Sequence, residues 1–147
     1  MSIAIRELGL ADSLLLGELL DTLTPDWTDH LAPGASGPTA FLAQSRSFAI
    51  GAYADSDPAG WVWGTAAHRP DGTLDCRLGD LAVLPEQRRR GIGTALLDAA
   101  IAHAGRQGCH HLLLVTEPDD PAGHALCNRA GGTRTANAPE TYRWSLR

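Results

Sequence analysis

The stretch Asp80-Leu81-Ala82-Val83-Leu84-Pro85-Glu86-Gln87-Arg88-Arg89-Arg90-Gly91-Ile92-Gly93-Thr94 decides the fold of this 147-residue chain. Its apolar half reads as the end of a strand running from Leu74 to Val83, which Pro85 takes the chain out of. Arg88 to Gly93 is a tight link rich in arginine and glycine, and a helix follows from Thr94. The first amides of a helix have no partner, and the dipole there favours an anion. Gly91 and Gly93 carry no Cβ, so a phosphate can come close to the backbone. Arginine adds charge and fork-shaped hydrogen bonding. The segment therefore reads as a cradle for a pyrophosphate. It is neither of the common nucleotide loops, because it lacks both the Gly-Lys-Ser/Thr of a P-loop and the third glycine of a dinucleotide fingerprint. Taken alone, it reads equally as an ordinary glycine-permitted turn.

Downstream of the link, Ile92, Ala95, Leu96, Ala99, Ala100 and His103 keep helical spacing, so Thr94 to Gln107 is expected to be a helix that Gly108 stops. Leu112 to Thr116 is a continuous apolar run, expected to be a buried strand. Strand, helix, strand predicts a right-handed crossover. Asp120 fits as N-cap and Pro121 as first residue of a further helix, ending at Gly131-Gly132. Thr141 to Leu146 reads as a last strand. Upstream, Ile3 to Glu7 reads as a strand and Ala11 to Leu23 as an amphipathic helix. Thr24 to Pro38 reads as a loop and Thr39 to Gln44 as a short helix. Ser47 to Tyr53, a turn at Asp55 to Gly60, and Trp61 to Ala67 form a hairpin. A second turn, with Asp71-Gly72, leads into the strand from Leu74. No repeat or linker interrupts this, which predicts one mixed α/β domain over residues 1–147 with α+β character.

All twelve basic residues are arginine. Residues 1–60 hold eight acids against two arginines, a net of −6, whereas residues 61–147 hold nine acids and ten arginines, a net of +1. The first part attracts cations, and the second can hold an anion locally. One short arginine run in an acidic chain argues against a nucleic-acid partner. No run approaches the roughly 18 apolar residues of a membrane span. The apolar stretch Ser13 to Leu20 lacks a basic leader and is broken by acids, so no signal peptide is expected. The three cysteines, Cys76, Cys109 and Cys127, are scattered without metal spacing, which predicts a reduced cytoplasmic protein. His110 and His111 point to opposite faces of a strand, and no His-x-x-x-His or Cys-x-x-Cys occurs, so no metal site is expected.

The pattern Arg88-x-x-Gly91-x-Gly93, after an apolar strand and a proline, resembles the acetyl-coenzyme A loop of the GNAT superfamily of N-acetyltransferases. The order of elements agrees over nearly the whole chain. Arg46-Ser47-Phe48, Asp80 to Val83 with Arg88-Arg89, and Asp119-Asp120-Pro121-Ala122 look like the bacterial aminoglycoside 3-N-acetyltransferases of that superfamily. The resemblance implies a central, mixed, mostly antiparallel sheet, splayed at the cofactor strand and flanked by about four helices. It implies acetyl-coenzyme A as cosubstrate and direct attack by a neutral amine in a ternary complex.

Carried over residue by residue, Leu81, Ala82 and Val83 hold the pantetheine arm as an added strand would. Arg88 and the backbone from Arg89 and Arg90 through Gly91, Ile92, Gly93 and Thr94 hold the pyrophosphate. The strand at Leu112 to Val115 splays away, and an amide near Ala82 or Val83 stabilises the oxyanion. Asp120 and Cys127 complete the cofactor set; relatives often have asparagine and tyrosine at those places. With that tyrosine missing, Tyr142 and Tyr53 are the only tyrosines left to act as general acid. Asp80 is the first candidate for the base or substrate anchor, since burial beside the slot raises a carboxyl pKa; a plain reading pairs it with Arg77. Glu117 is the second, and its plain reading is a helix-start acid.

The segment between the first strand and the meander builds much of the acceptor site in that superfamily. Here it holds Asp26, Trp27, Asp29 and His30, which together with Asp80 suit a polycationic amine such as an aminoglycoside. Trp61 and Trp63 share one face of a strand, where core packing accounts for them. The rival readings are a peptide or protein N-acetyltransferase and a non-catalytic acetyl-coenzyme A sensor. Relatives commonly dimerise, which leaves a homodimer as an option.

Overall fold

A meander of three long strands forms the middle of the sheet. The computed structural model describes residues 2–24, 37–135 and 138–146. The elements are β1 (Ile3–Glu7), α1 (Ser13–Leu23), α2 (Gly37–Leu42), β2 (Ser47–Ala54), β3 (Asp57–His68), β4 (Leu74–Val83), α3 (Ile92–Arg106), β5 (His111–Val115), α4 (Pro121–Arg129), β6 (Thr133–Thr135) and β7 (Ala138–Ser145). Short 3-10 turns, Leu10–Asp12 and Pro85–Gln87, precede α1 and follow β4.

The β2–β3 turn is tighter than the sequence suggests. Only Asp55 and Ser56 leave the strands, with φ of 48° and 76°. Positive φ at both central residues is the geometry whose twist matches the flanking strands. Pro58, Ala59 and Gly60, which read as turn residues, instead continue β3; Ala59 is left over where Ala52 faces Gly60 and Tyr53 faces Pro58.

The seven strands run in the order β1-β2-β3-β4-β5-β7-β6. Among the described residues only β4 and β5 pair in parallel, joined by the crossover helix α3, and the other neighbours are antiparallel. The mixed, mostly antiparallel sheet expected from the resemblance is thus present. β6 is an addition: three residues, mostly polar, are too few for a readable alternation.

The sheet is covered on both faces. Leu96, Leu97 and Ala100 of α3 and Cys127 of α4 pack against Ile50, Val62, Leu78, Leu112 and Tyr142 in the larger core. Leu16 and Leu19 of α1 pack with Trp61, Tyr53 and Ala49 in a smaller one, joined by Phe41 and Leu42 of α2.

Candidate active site

The site begins with two irregularities in β4. Asp75, Cys76 and Arg77 face His111, Leu112 and Leu113, and the parallel ladder ends there. From Leu78 onward β4 has no partner on that side among the described residues, so the sheet opens between β4 and β5. On its other side β4 keeps pairing with β3, but with a bulge: Trp63 faces Asp80 and Gly64 faces Leu78, leaving Gly79 over.

The bulge changes which face each side chain takes. Cys76 and Leu78 point into the α3 core, and so do Leu81 and Val83. The spacing from Leu78 to Leu81 is odd, which a plain strand of period two forbids. One extra residue resets the count, and Asp80 and Ala82 therefore fall on the α1–α2 face, beside their cross-strand partners Trp63 and Trp61. Without the bulge, Asp80 would point into the α3 core.

The backbone follows the same logic. Leu84 N–H donates to the Ala59 carbonyl (2.8 Å), which makes Ala59 and Leu84 a hydrogen-bonded pair. Alternation then commits the polar groups of Ala82 to Trp61 and turns those of Leu81 and Val83 toward the opening. Of the two amides expected near the oxyanion, Val83 is the one available, and Ala82 is turned away. Arg88 Nε donates to the Val83 carbonyl (3.3 Å).

A groove of about 530 Å³ runs along the freed end of β4, between it and α4. Its walls include Leu81, Ala82 and Val83, then Arg88, Arg89 and Gly91 through Thr94, and Asp120. It ends at the first turn of α3. Gly91 is the N-cap, in the left-handed region at φ 77°, and no side chain caps the helix. The first-turn amides Ile92, Gly93 and Thr94 accordingly have no helical partner and a favourable dipole. Nothing stands within 4 Å of where a Cβ of Gly91 would be. Gln87 also lines the groove, and its Oε1 is buried without a hydrogen-bond partner among the described residues. An orphaned acceptor, uncapped amides and arginines fit a ligand with N–H groups at one end and phosphates at the other.

Arg90 and Cys127, expected in this set, are not part of the groove wall. α4 turns about 100° per residue, so Ala122, Leu126 and Arg129 share the groove face while Cys127 points into the core. Ala122, Leu126 and Arg129 were legible as an i, i+4, i+7 set and were missed. Asp120 caps α4 as expected, its Oδ1 accepting the Gly123 N–H (3.0 Å).

Asp80 is half-buried, and its carboxylate accepts the Trp63 indole N–H at 2.9 Å. Arg77, the partner a plain reading supplied, forms no ion pair with it among the described residues. Burial raises the Asp80 pKa above the ordinary carboxylate value, and the Trp63 bond partly opposes this.

Neither Cys127 nor Tyr142 lines the groove. Burial, and secondarily Asp120, pushes the Cys127 thiol up to about 11. An ordinary thiol near 8.5 is the stronger acid, so proton transfer from Cys127 to a thiolate runs uphill. Tyr142 is fully buried, with its hydroxyl 2.9 Å from His124 Nδ1. The Glu117 carbonyl can only accept, so His124 Nε2 (3.1 Å away) carries the ring proton and Nδ1 accepts from Tyr142. The Thr116 hydroxyl donates to the Glu140 carbonyl (2.9 Å). This network ties the end of β5 to α4 and β7, and the Tyr142 proton is committed within it. The Glu117 side chain is exposed; its carbonyl is what the turn uses. Asp26, Trp27, Asp29 and His30 lie outside the described residues. His110 Nδ1 accepts the Leu74 N–H (3.0 Å), and His111 Nδ1 lies 3.1 Å from Asp75 Oδ1, so both find partners on the neighbouring β4.

The sheet is mixed and parts beside a parallel crossover, with uncapped helix amides on one face of β4 and a half-buried carboxylate on the other. The acetyltransferase (GNAT) family model matches residues 16–131, and the chain belongs to this family. It is 28% identical over 148 aligned residues to the L-methionine sulfoximine/L-methionine sulfone acetyltransferase of Pseudomonas paraeruginosa, covering 95% of this chain and 86% of that protein. A mycothiol acetyltransferase of Geodermatophilus obscurus is 36% identical over 75 residues, which span 49% of this chain and only 24% of that protein. Among solved structures, an aminoglycoside acetyltransferase from an uncultured soil metagenomic sample superimposes with a TM-score of 0.79 at 20% identity, over 92% of this chain and 95% of that one. The PaiA N-acetyltransferase of Thermoplasma acidophilum, in complex with coenzyme A, gives 0.71 at 18%, over 99% of each chain.

Proposed function

We propose that this protein transfers an acetyl group from acetyl-coenzyme A to a primary amine of a cationic small molecule, an aminoglycoside or similar polyamine among them. One observation carries the reading: the opening between β4 and β5 has uncapped helix amides on its α3 side and the Asp80 carboxylate on its α1–α2 side.

Bound acetyl-coenzyme A supplies the acetyl group as a thioester, with a thiol as leaving group. The chain's own residues do the rest. Ile92, Gly93 and Thr94 amides, with Arg88 and Arg89, hold the pyrophosphate. Leu81 offers its free backbone edge to the pantetheine arm beside Val83, whose carbonyl is held by Arg88, and the Gln87 Oε1 accepts one of the arm's N–H groups. The Val83 N–H faces the charge that develops on the carbonyl oxygen. Asp80, its pKa raised by burial, takes the proton that an ammonium must lose before it can attack. Solvent returns a proton to the departing sulfur, since Cys127 points into the core away from the groove and the Tyr142 hydroxyl is engaged by His124.

The acceptor class rests on charge. Residues 1–60 carry a net of −6, and Asp80 sits beside the Trp63 ring. Aminoglycoside acetyltransferases among the structural neighbours agree with this reading. The relative aligned over most of its length, named for methionine sulfoximine and methionine sulfone, favours an amino acid as second reading. The test is release of coenzyme A from acetyl-coenzyme A with a panel of aminoglycosides, polyamines, amino acids and peptides. Saturable turnover with polycations is expected. Turnover confined to amino acids or peptides replaces the acceptor. A thermal shift with acetyl-coenzyme A and no turnover makes the protein a sensor.

A further inference from the structure

We infer that Trp63 is a positioning residue for acetyl transfer: its indole N–H fixes the Asp80 carboxylate at the opening of the sheet, and the glycine at the bulge, Gly79, leaves room for its ring. The inference rests on the assignment of Asp80 as the group that takes the amine proton.

Three observations converge on it. The Trp63 Nε1–H donates to Asp80 Oδ2 at 2.9 Å, across a cross-strand pair. A Cβ on Gly79 would stand 2.0 Å from Trp63 Cζ2 and 2.3 Å from both Cε2 and Cη2. Three atoms of one rigid ring thus occupy the space of the side chain that Gly79 lacks, so the ring lies against the bulge. The remaining support comes from α2: Phe41 meets the ring edge-on at a centroid distance of 5.7 Å and an interplanar angle of 88°. A carboxylate on a short side chain is thereby held from a residue with two torsions, itself held by a strand, a bulge and a helix.

This explains why a tryptophan, rather than an apolar residue, stands opposite an acid. Packing alone asks for no N–H. A half-buried carboxylate has four acceptor sites, and an indole satisfies one without adding charge. That leaves the carboxylate basic enough to take a proton, whereas an arginine in the same place would hold it ionised. Among the described residues no charged group of β3, β4 or α2 acts on Asp80; burial raises its pKa and Trp63 lowers it.

The experiment compares the pH profiles of kcat/KM for wild type, Trp63→Phe and Asp80→Asn. The phenylalanine keeps a ring on the bulge and removes the donor. Its acid limb is expected to move up by about one pH unit and its plateau to fall about tenfold, with the KM for acetyl-coenzyme A unchanged. An unmoved limb with the plateau retained overturns the inference while Asp80 stands. If the acid limb survives in Asp80→Asn, the Asp80 assignment itself fails. Should Trp63→Phe not fold, the wild-type protein answers the question. With ¹⁵N-labelled tryptophan, one indole N–H resonance is expected to titrate with a carboxyl and to stop titrating in Asp80→Asn. No titrating indole overturns the inference.

Discussion

Replacing Gly91 by alanine and, separately, by leucine separates backbone strain from blockage of the groove. Gly91 sits at φ 77° as the N-cap of α3, and nothing lies within 4 Å of an added Cβ. Either side chain therefore meets open space, and the fold feels chiefly the left-handed backbone, which costs an L-residue about 1–2 kcal/mol. For a chain of 147 residues that is a drop in Tm of about 3–6 °C, much the same for both variants. Binding responds differently. A leucine projects four carbons into the space a phosphate needs, and two charge-assisted amide bonds at about 1.5 kcal/mol each amount to about a hundredfold in Kd. The alanine variant should lose less than about tenfold, under 1.4 kcal/mol. Calorimetric titration with coenzyme A, beside a thermal melt of each free variant, reads both quantities. Matching Kd values for the alanine and leucine variants would refute the placement of phosphates at this turn. A leucine variant that melts far below the alanine variant would refute the claim that the space is open.

Other positions make equally direct claims. Gly79→Ala should destabilise the fold by about 1–3 kcal/mol through overpacking against the Trp63 ring, as chemical denaturation would register. Asp80→Asn should lower kcat/KM about a hundredfold or more, yet raise Tm at pH 7. Burial lifts the folded-state pKa above the unfolded one, so the stability this group contributes is present at low pH and lost as pH rises through the folded value. The gain should vanish near pH 3, where both forms are neutral, and melts at the two pH values check it. Cys76, Cys109 and Cys127 are all buried, and burial holds the Cys76 thiol at about 12 and the Cys127 thiol at about 11. None should react with a thiol reagent in the native state at pH 7, and all three should react in denaturant.

The run from Asp80 to Thr94 made the strand, link and helix readable because each part has a separate physical signature: an apolar strand, glycines that free the backbone, and helical spacing behind them. The meander followed from alternation. What sequence reading missed lies where one residue shifts a count. Pro58 and Gly60 read as turn because their composition is that of a turn, while the backbone turned on Asp55 and Ser56 instead. The bulge was visible in principle: apolar positions fall at Cys76 and Leu78, then at Leu81 and Val83, and the parity breaks between them. That break carries Asp80 to the face of Trp63; with the parity unread, packing accounts for the tryptophan, and the plain alternative for the acid is a pair with Arg77. Cys127 aligned with a tyrosine by motif, but helical pitch turns it inward and brings Arg129 to the groove.

The opening between β4 and β5 also bears on how such a chain can change over time. The sheet around it separates two helical layers that share its strands but little else: α1 and α2 rest on the smaller core, α3 and α4 on the larger. Substitutions in one layer should combine additively with those in the other, because few side chains contact both. On the proposed function, the layer on the acceptor side can therefore drift in shape and charge while the layer on the coenzyme side stays as it is.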